Sequence, residues 1–277
     1  MYVDSKFISD VVNGFAEVCP GDSQLCVAKD MFGAPNYASE VFQYVYAMRY
    51  VPAYYFEYCV LASELSSRVK GYAHLNVASI GAGLCQDYYA LRDNVKIPFT
   101  YSAYDAVQWA ARARMPPVGD NFNIVAKSAQ KISAGDLADV DVYFFPKSLS
   151  DIAGSGNGVL SAFGGNIAAT KKKRLFFLVS YVSAGINKSP ASQDFSDIDK
   201  ALTAAGFSTT DQVRGSFYRG DKNGEGLRAL HQNFIYPSNV KISCSSQDGL
   251  KCIKCDAIKS PIYKNTHMSF SIMEYTK

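Results

Sequence analysis

LNVASIGAGLCQD, residues 75–87, decides the fold of this chain. Six mostly apolar residues, Leu75 to Ile80, run straight into Gly81-Ala82-Gly83, and a helical pattern begins at Asp87 and continues through Tyr88, Tyr89, Ala90 and Leu91. A strand here delivers the backbone to a tight glycine turn at a helix N-terminus, where N–H groups without intrahelical partners gather. Glycine has no Cβ, so a ligand can lie directly on the main chain. Such corners occur where an open α/β sheet binds nucleotides.

What lies around the corner narrows the ligand. A dinucleotide fingerprint continues Gly-x-Gly-x-x-Gly, its third glycine letting helix and strand pack closely. This chain has Gln86 at that position and Asp87 next to it. A carboxylate there is a poor neighbour for a pyrophosphate and a better one for an ammonium group. The following apolar run, residues 97–104, ends at Asp105. An acid at the tip of the second strand can accept both hydroxyls of a ribose. Turn, helix, strand and terminal acid together suit an adenosyl ligand that carries no diphosphate.

At this point the sequence resembles the class I S-adenosylmethionine-dependent methyltransferases. Ser79-Ile-Gly81-Ala82-Gly83 is similar to their first motif, with Ser79 standing where many relatives carry an acid. Tyr104-Asp105-Ala106 is similar to the acidic end of their second strand, and residues 141–148, DVYFFPKS, to their fourth motif. The likeness spans roughly residues 75–206. It implies an α/β, Rossmann-like fold: a seven-stranded mixed sheet with helices on both faces, and here an α-helical N-terminal extension. It also implies S-adenosylmethionine as cofactor, with Ser79, Gly81, Ala82 and Gly83 on its methionine and ribose side and Asp87 near the ammonium group. Asp105, with Ala106 beside it, would take the ribose hydroxyls. Ala129, between Ser128 and Gln130, occupies the place where related enzymes touch the adenine. Pro146 to Ser148 would border the methyl group.

Two further residues are candidates by position. Arg49 stands in a polar and aromatic cluster, residues 44–55, just before the cofactor strand. It either pairs with the methionine carboxylate or packs as a structural arginine on its aromatic neighbours. Trp109, four residues after Asp105, either covers the adenine from a helical face or fills the core between helix and sheet. No catalytic side chain is assigned. The Asn/Asp-Pro-Pro-Tyr grip of amino-methylating nucleic-acid enzymes is absent, and no cysteine follows Pro146. In-line alignment of acceptor and sulfonium can suffice for methyl transfer, so Lys147 or Ser148 need only orient the acceptor, Lys147 neutralising an anionic one.

The remaining pattern gives the organisation. Residues 1–35 read as a helix carrying Phe7, Val11, Val12, Phe15 and Val18, followed by a second helical stretch over 23–31. Residues 37–69 read as two helices meeting at Pro52, because proline removes a donor and clashes with the preceding turn. Strands are expected over 75–80, 98–104, 121–126, 140–145 and 175–181, with helices over 86–92, around Trp109 to Arg112, over 159–163 and over 194–205, the last closed by Gly206. Alternating strands and helices imply a parallel sheet with covered faces. Beyond Phe207 the pattern turns to antiparallel strands over 212–218, 233–236, 240–244 and 268–275. The expected division is a helical extension or lid over 1–70 and a methyltransferase domain over 71–277, with an insertion at about 220–265.

Composition excludes several classes. The 277 residues are 48% hydrophobic and 19% charged, as expected of a globular chain with a large core. A net charge of +3 gives no strong nucleic-acid signature; the one basic run, residues 171–174, is either a solvated approach to a strand or a phosphate patch. No apolar run reaches the ~20 residues of a membrane span, and no secretory leader is evident, so the expected setting is cytoplasmic. Seven scattered cysteines do not form a disulfide scaffold. Cys244, Cys252, Cys255 and His267 either assemble a structural zinc site or are ordinary side chains of the insertion. Two other functions stay open: a nicotinamide-dependent oxidoreductase, and a non-catalytic module of the same fold holding cofactor or RNA. Aromatic N-terminal helices favour a small, partly apolar or planar acceptor.

Overall fold

The computed structural model describes residues 5–18, 36–181, 192–218 and 267–277. Two helices precede the sheet: α1 (Ser5–Val18) and α2 (Glu40–Arg68), the latter capped by the Ser39 hydroxyl. Then follow β1 (Leu75–Ile80), α3 (Gln86–Asn94), β2 (Phe99–Asp105), a 3-10 turn (Ala110–Arg114), β3 (Phe122–Ala126), the short α4 (Ala134–Leu137) and β4 (Val142–Pro146). The remainder is α5 (Leu149–Gly154), α6 (Val159–Ala168), β5 (Arg174–Tyr181), α7 (Ser192–Ala204), β6 (Ser208–Tyr218) and β7 (His267–Thr276).

The strands form one seven-stranded sheet in the order β3-β2-β1-β4-β5-β7-β6. β1 to β5 run parallel, and β7 is antiparallel to both β5 and β6. Strand side chains alternate between two cores. Val77, Val142, Phe144, Phe176 and Leu178 join the side chains of α1, α2 and α3 on one face. Tyr143, Phe145, Leu175, Phe177 and Val179 join those of α6 and α7 on the other. Burial on both faces explains why β4 and β5 are continuous apolar runs. The chain lays down β1, β2 and β3 in one direction, then returns to the far side of β1 with β4. The carboxyl ends of β1, β2 and β4 therefore open onto one crevice at the point where strand order reverses.

Two local expectations are corrected. α2 does not break at Pro52 but runs continuously for 29 residues. An internal proline costs about 3 kcal/mol, whereas each large apolar side chain that α2 buries contributes about 1.5–3 kcal/mol. Val51, Tyr55, Phe56, Tyr58 and Leu61 flank the proline at 2% exposure or less, so packing holds the helix through it. Trp109 does not stand on an α-helix. It is extended (φ −95, ψ 100), and the five residues after it form a 3-10 turn which Pro116-Pro117 keep from growing into a helix. Two short helices were unanticipated: α4, and α5 directly after the fourth-motif stretch. The helix expected over 23–31, the strands over 233–236 and 240–244, and the insertion at about 220–265 lie outside the described residues. No described helix is long and apolar enough to cross a membrane.

Candidate cofactor and acceptor site

The glycine turn is held from below by β2. The Tyr104 carbonyl accepts from the backbone N–H of Gly81 (2.8 Å) and of Ala82 (3.2 Å). Asp105 Oδ2 accepts from the Gly83 N–H at 2.7 Å, and its Oδ1 from the Val107 N–H at 2.8 Å. The Arg112 guanidinium donates through Nε to the Gly83 carbonyl at 2.8 Å. Gly81 has φ +68 and Gly83 φ +55, the left-handed region that glycine enters freely. A Cβ on Gly81 would stand 2.5 Å from the Ser148 Cβ, because the Ser148 hydroxyl donates to the Ile80 carbonyl and draws α5 against the turn.

This arrangement corrects the expectation of free amides at the corner. The N–H groups of Gly81, Ala82 and Gly83 are all consumed within the protein. The helix N-terminus is also answered from inside: Asp87 is fully buried in the first turn of α3 and accepts from the Tyr101 hydroxyl at 2.9 Å. Burial pushes its carboxyl up to about 6, opposed by the hydroxyls of Ser79 and Tyr101 and by the backbone amides of Asp87 and Tyr88. Ser79 is likewise sealed at 0% exposure; its hydroxyl lies beside Asp87 yet outside hydrogen-bond geometry.

Above the turn lies a cavity of about 430 Å³, within the ~300–1,000 Å³ range of small-ligand sites. It gathers Gly81, Gly83, Asp105, Ala106, Trp109, Ala129, Pro146 and Ser148 from four separate loops, each at the carboxyl edge of a parallel strand. Ala82, Ser79 and Asp87 are not part of its wall; they lie beneath it. Arg49 lies within α2, and its side chain is outside the described residues.

The opposite wall was only partly anticipated. Phe42, Tyr46, Tyr50 and Tyr54 project into the cavity from α2, with Tyr37 just before it. Their four-residue spacing places them on one ridge of the helix, a signal present in the sequence though never separated from the general aromatic density. The Tyr50 and Tyr54 rings stack at 5.2 Å, while Trp109 sits 5.3 Å from Tyr46 and 5.6 Å from Tyr37. Trp109 Nε1 is buried with no hydrogen-bond acceptor among the described residues.

Charges are arranged unevenly. Burial raises the Tyr37 hydroxyl to about 12, helped by Asp151, Tyr50 and Asp105. Burial also raises the Asp151 carboxyl. On the side wall Lys127 pairs with Asp136 at 2.7 Å, which holds the Asp136 carboxyl down at about 2. At the end of β4, Lys147 Nζ lies 2.7 Å from Glu57 of α2, both side chains buried. Sequence reasoning missed Glu57, Lys127 and Asp151. Glu57 carried a signal, as a lone acid within an aromatic helix face requires a buried partner; the other two carried none.

Strand order, glycine turn and terminal acid define the class: the chain has the fold of the class I S-adenosylmethionine-dependent methyltransferases. No protein-family model and no curated protein sequence matches it. Among solved structures it is similar to Haemonchus contortus phosphoethanolamine N-methyltransferase 2 in complex with S-adenosyl-L-methionine. The TM-score is 0.51 at 11% identity, over 90% of this chain and 60% of that one. The same enzyme with phosphomonomethylethanolamine and S-adenosylhomocysteine gives 0.50 at 11% identity, over 88% and 61%. This chain thus spans about three fifths of the nematode enzyme's length, and the likeness is one of fold.

Among the described residues no group of three or more His, Cys, Asp or Glu could hold a metal. Cys244, Cys252 and Cys255, with the side chain of His267, lie outside them.

Proposed function

We propose that this chain transfers a methyl group from S-adenosylmethionine to a small, planar or partly apolar acceptor. The observation that carries the reading is the convergence of the glycine turn, Asp105 and the Pro146–Ser148 stretch on one cavity. The residues fit the cofactor. Gly81 and Gly83 supply the positive φ of a turn whose backbone reaches the cavity wall. Each Asp105 oxygen uses one acceptor position on a backbone amide and retains another for a ribose hydroxyl. Trp109 offers a ring face for adenine and an unused N–H, and Ala106 and Ala129 leave room beside it. Acidic surroundings at Asp105 and Asp151 favour a cationic nucleoside over a diphosphate.

When bound, the cofactor would supply an electrophilic methyl group. The chain's own contribution is to orient and to exclude water. The residue 1–70 segment acts as the extension that walls the acceptor side, its α2 ridge covering the crevice of the 71–277 domain. Trp109 is the only tryptophan, so its fluorescence reports on the site directly. Titration with S-adenosylhomocysteine should give a saturable change that S-adenosylmethionine reproduces and NADH does not. A flat titration, or a response to NADH alone, overturns the reading.

A further inference from the structure

Lys147 is set apart by three independent observations. Its backbone lies at φ +57, one of two non-glycine residues among those described with positive φ. That conformation costs roughly 1–2 kcal/mol for a residue with a Cβ, and such outliers gather where a side chain must be aimed. It is held there by its N–H, which donates to the carbonyls of Phe145 and Ser180, each at 2.9 Å. The side chain is 6% exposed, yet it borders the cavity and passes 4.8 Å from the centre of the Tyr54 ring. Nζ makes a contact ion pair with Glu57 at 2.7 Å, but the angles are not those of a hydrogen bond. Beyond Glu57, its hydrogens have no acceptor among the described residues.

We infer that Lys147 binds the acceptor, and that the acceptor is a planar, largely apolar molecule presenting a ring-borne hydroxyl oxygen to the ammonium. An ammonium only donates hydrogen bonds, so it selects a ring-borne oxygen over an arylamine nitrogen, whose lone pair is delocalised into the ring and accepts poorly. Glu57 neutralises the buried charge before the acceptor arrives, so a neutral hydroxyl can enter without leaving a net charge in the crevice. The stacked Tyr50 and Tyr54 rings, continuing to Tyr46 and Trp109, give a flat apolar surface beside the ammonium for the body of such a molecule. The inference rests on the methyl-transfer reading for the meaning of the oxygen, while the binding preference itself does not depend on it.

The test uses 4-nitrophenol, 4-nitroaniline and 4-nitroanisole, titrated calorimetrically into the full chain with S-adenosylhomocysteine present, at a pH low enough to keep the phenol neutral. The wild type should bind 4-nitrophenol roughly tenfold or more tighter than 4-nitroaniline, the expected scale for a hydrogen bond to a charged group. Lys147→Met should abolish the preference, with S-adenosylhomocysteine kept at saturation in every titration. If the single variant fails to fold, the charge-balanced Glu57→Gln/Lys147→Met protein should show the same loss. Equal affinities in the wild type, no binding of any probe, or a preference that survives the Lys147 change overturns the inference. A wild type that keeps the phenol preference but binds no S-adenosylhomocysteine overturns the methyl-transfer reading instead and leaves the oxygen site standing.

Discussion

Gly81 carries two demands at once: a backbone at φ +68, and a Ser148 Cβ where its own Cβ would be. Gly81→Ala should therefore weaken S-adenosylhomocysteine binding by about tenfold or more, since both the strain and the clash fall on the cavity floor. Adding Ser148→Gly removes the clash but not the positive φ, so calorimetry should show partial recovery. Full affinity in the Gly81 variant would mean that the turn is not a ligand surface. Gly81, Gly83 and Asp105 were legible because a φ above zero and a strand-end acid leave marks in the sequence. Asp87 was legible as an acid at a helix N-terminus but not as a buried one. Its depth is set by Tyr101, fourteen positions away and on the neighbouring strand.

α2 joins the two walls of the cavity through the Glu57–Lys147 pair, linking a helix that precedes the sheet to the end of β4. Removing one member leaves the other charge buried and alone. Glu57→Gln should therefore lower unfolding stability by roughly 3–5 kcal/mol. The charge-balanced Glu57→Gln/Lys147→Met protein should recover most of it in urea denaturation. Equal stability of wild type and Glu57→Gln would show that the pair is solvated rather than buried. The same helix explains why Pro52 misled the periodicity argument. A local breaking signal is weighed against a whole buried face, and the face is assembled by residues distant in sequence.

For the molecule as a whole, Asp87 makes stability depend on pH. Its carboxyl is raised from 3.8 to about 6 in the fold, mainly by burial. An acid that ionises less readily when folded stabilises the native state in its neutral form. That contribution is present at low pH and lost as pH rises through about 6. Asp87→Asn should accordingly stabilise the protein at pH 8, on the order of 3 kcal/mol. The gain should shrink between pH 6 and 4 and vanish below, as followed by melting temperature across that range. A gain independent of pH would place its origin elsewhere. No single segment holds the cavity: four strand-end loops meet around it only because the strand order reverses at β1.

By itself the sequence determined the alternation of strands and helices, the glycine turn and the acid at the tip of β2. These are written in nearest-neighbour terms: apolar period, absence of a Cβ, and the residue at a strand's end. Only the tertiary structure decided that the turn's amides are spoken for, that Asp87 is sealed, and that Lys147 meets Glu57 beneath a tyrosine ridge. Burial and charge pairing are properties of residues brought together across the chain. A linear pattern records which groups are available, and packing alone decides which of them face each other.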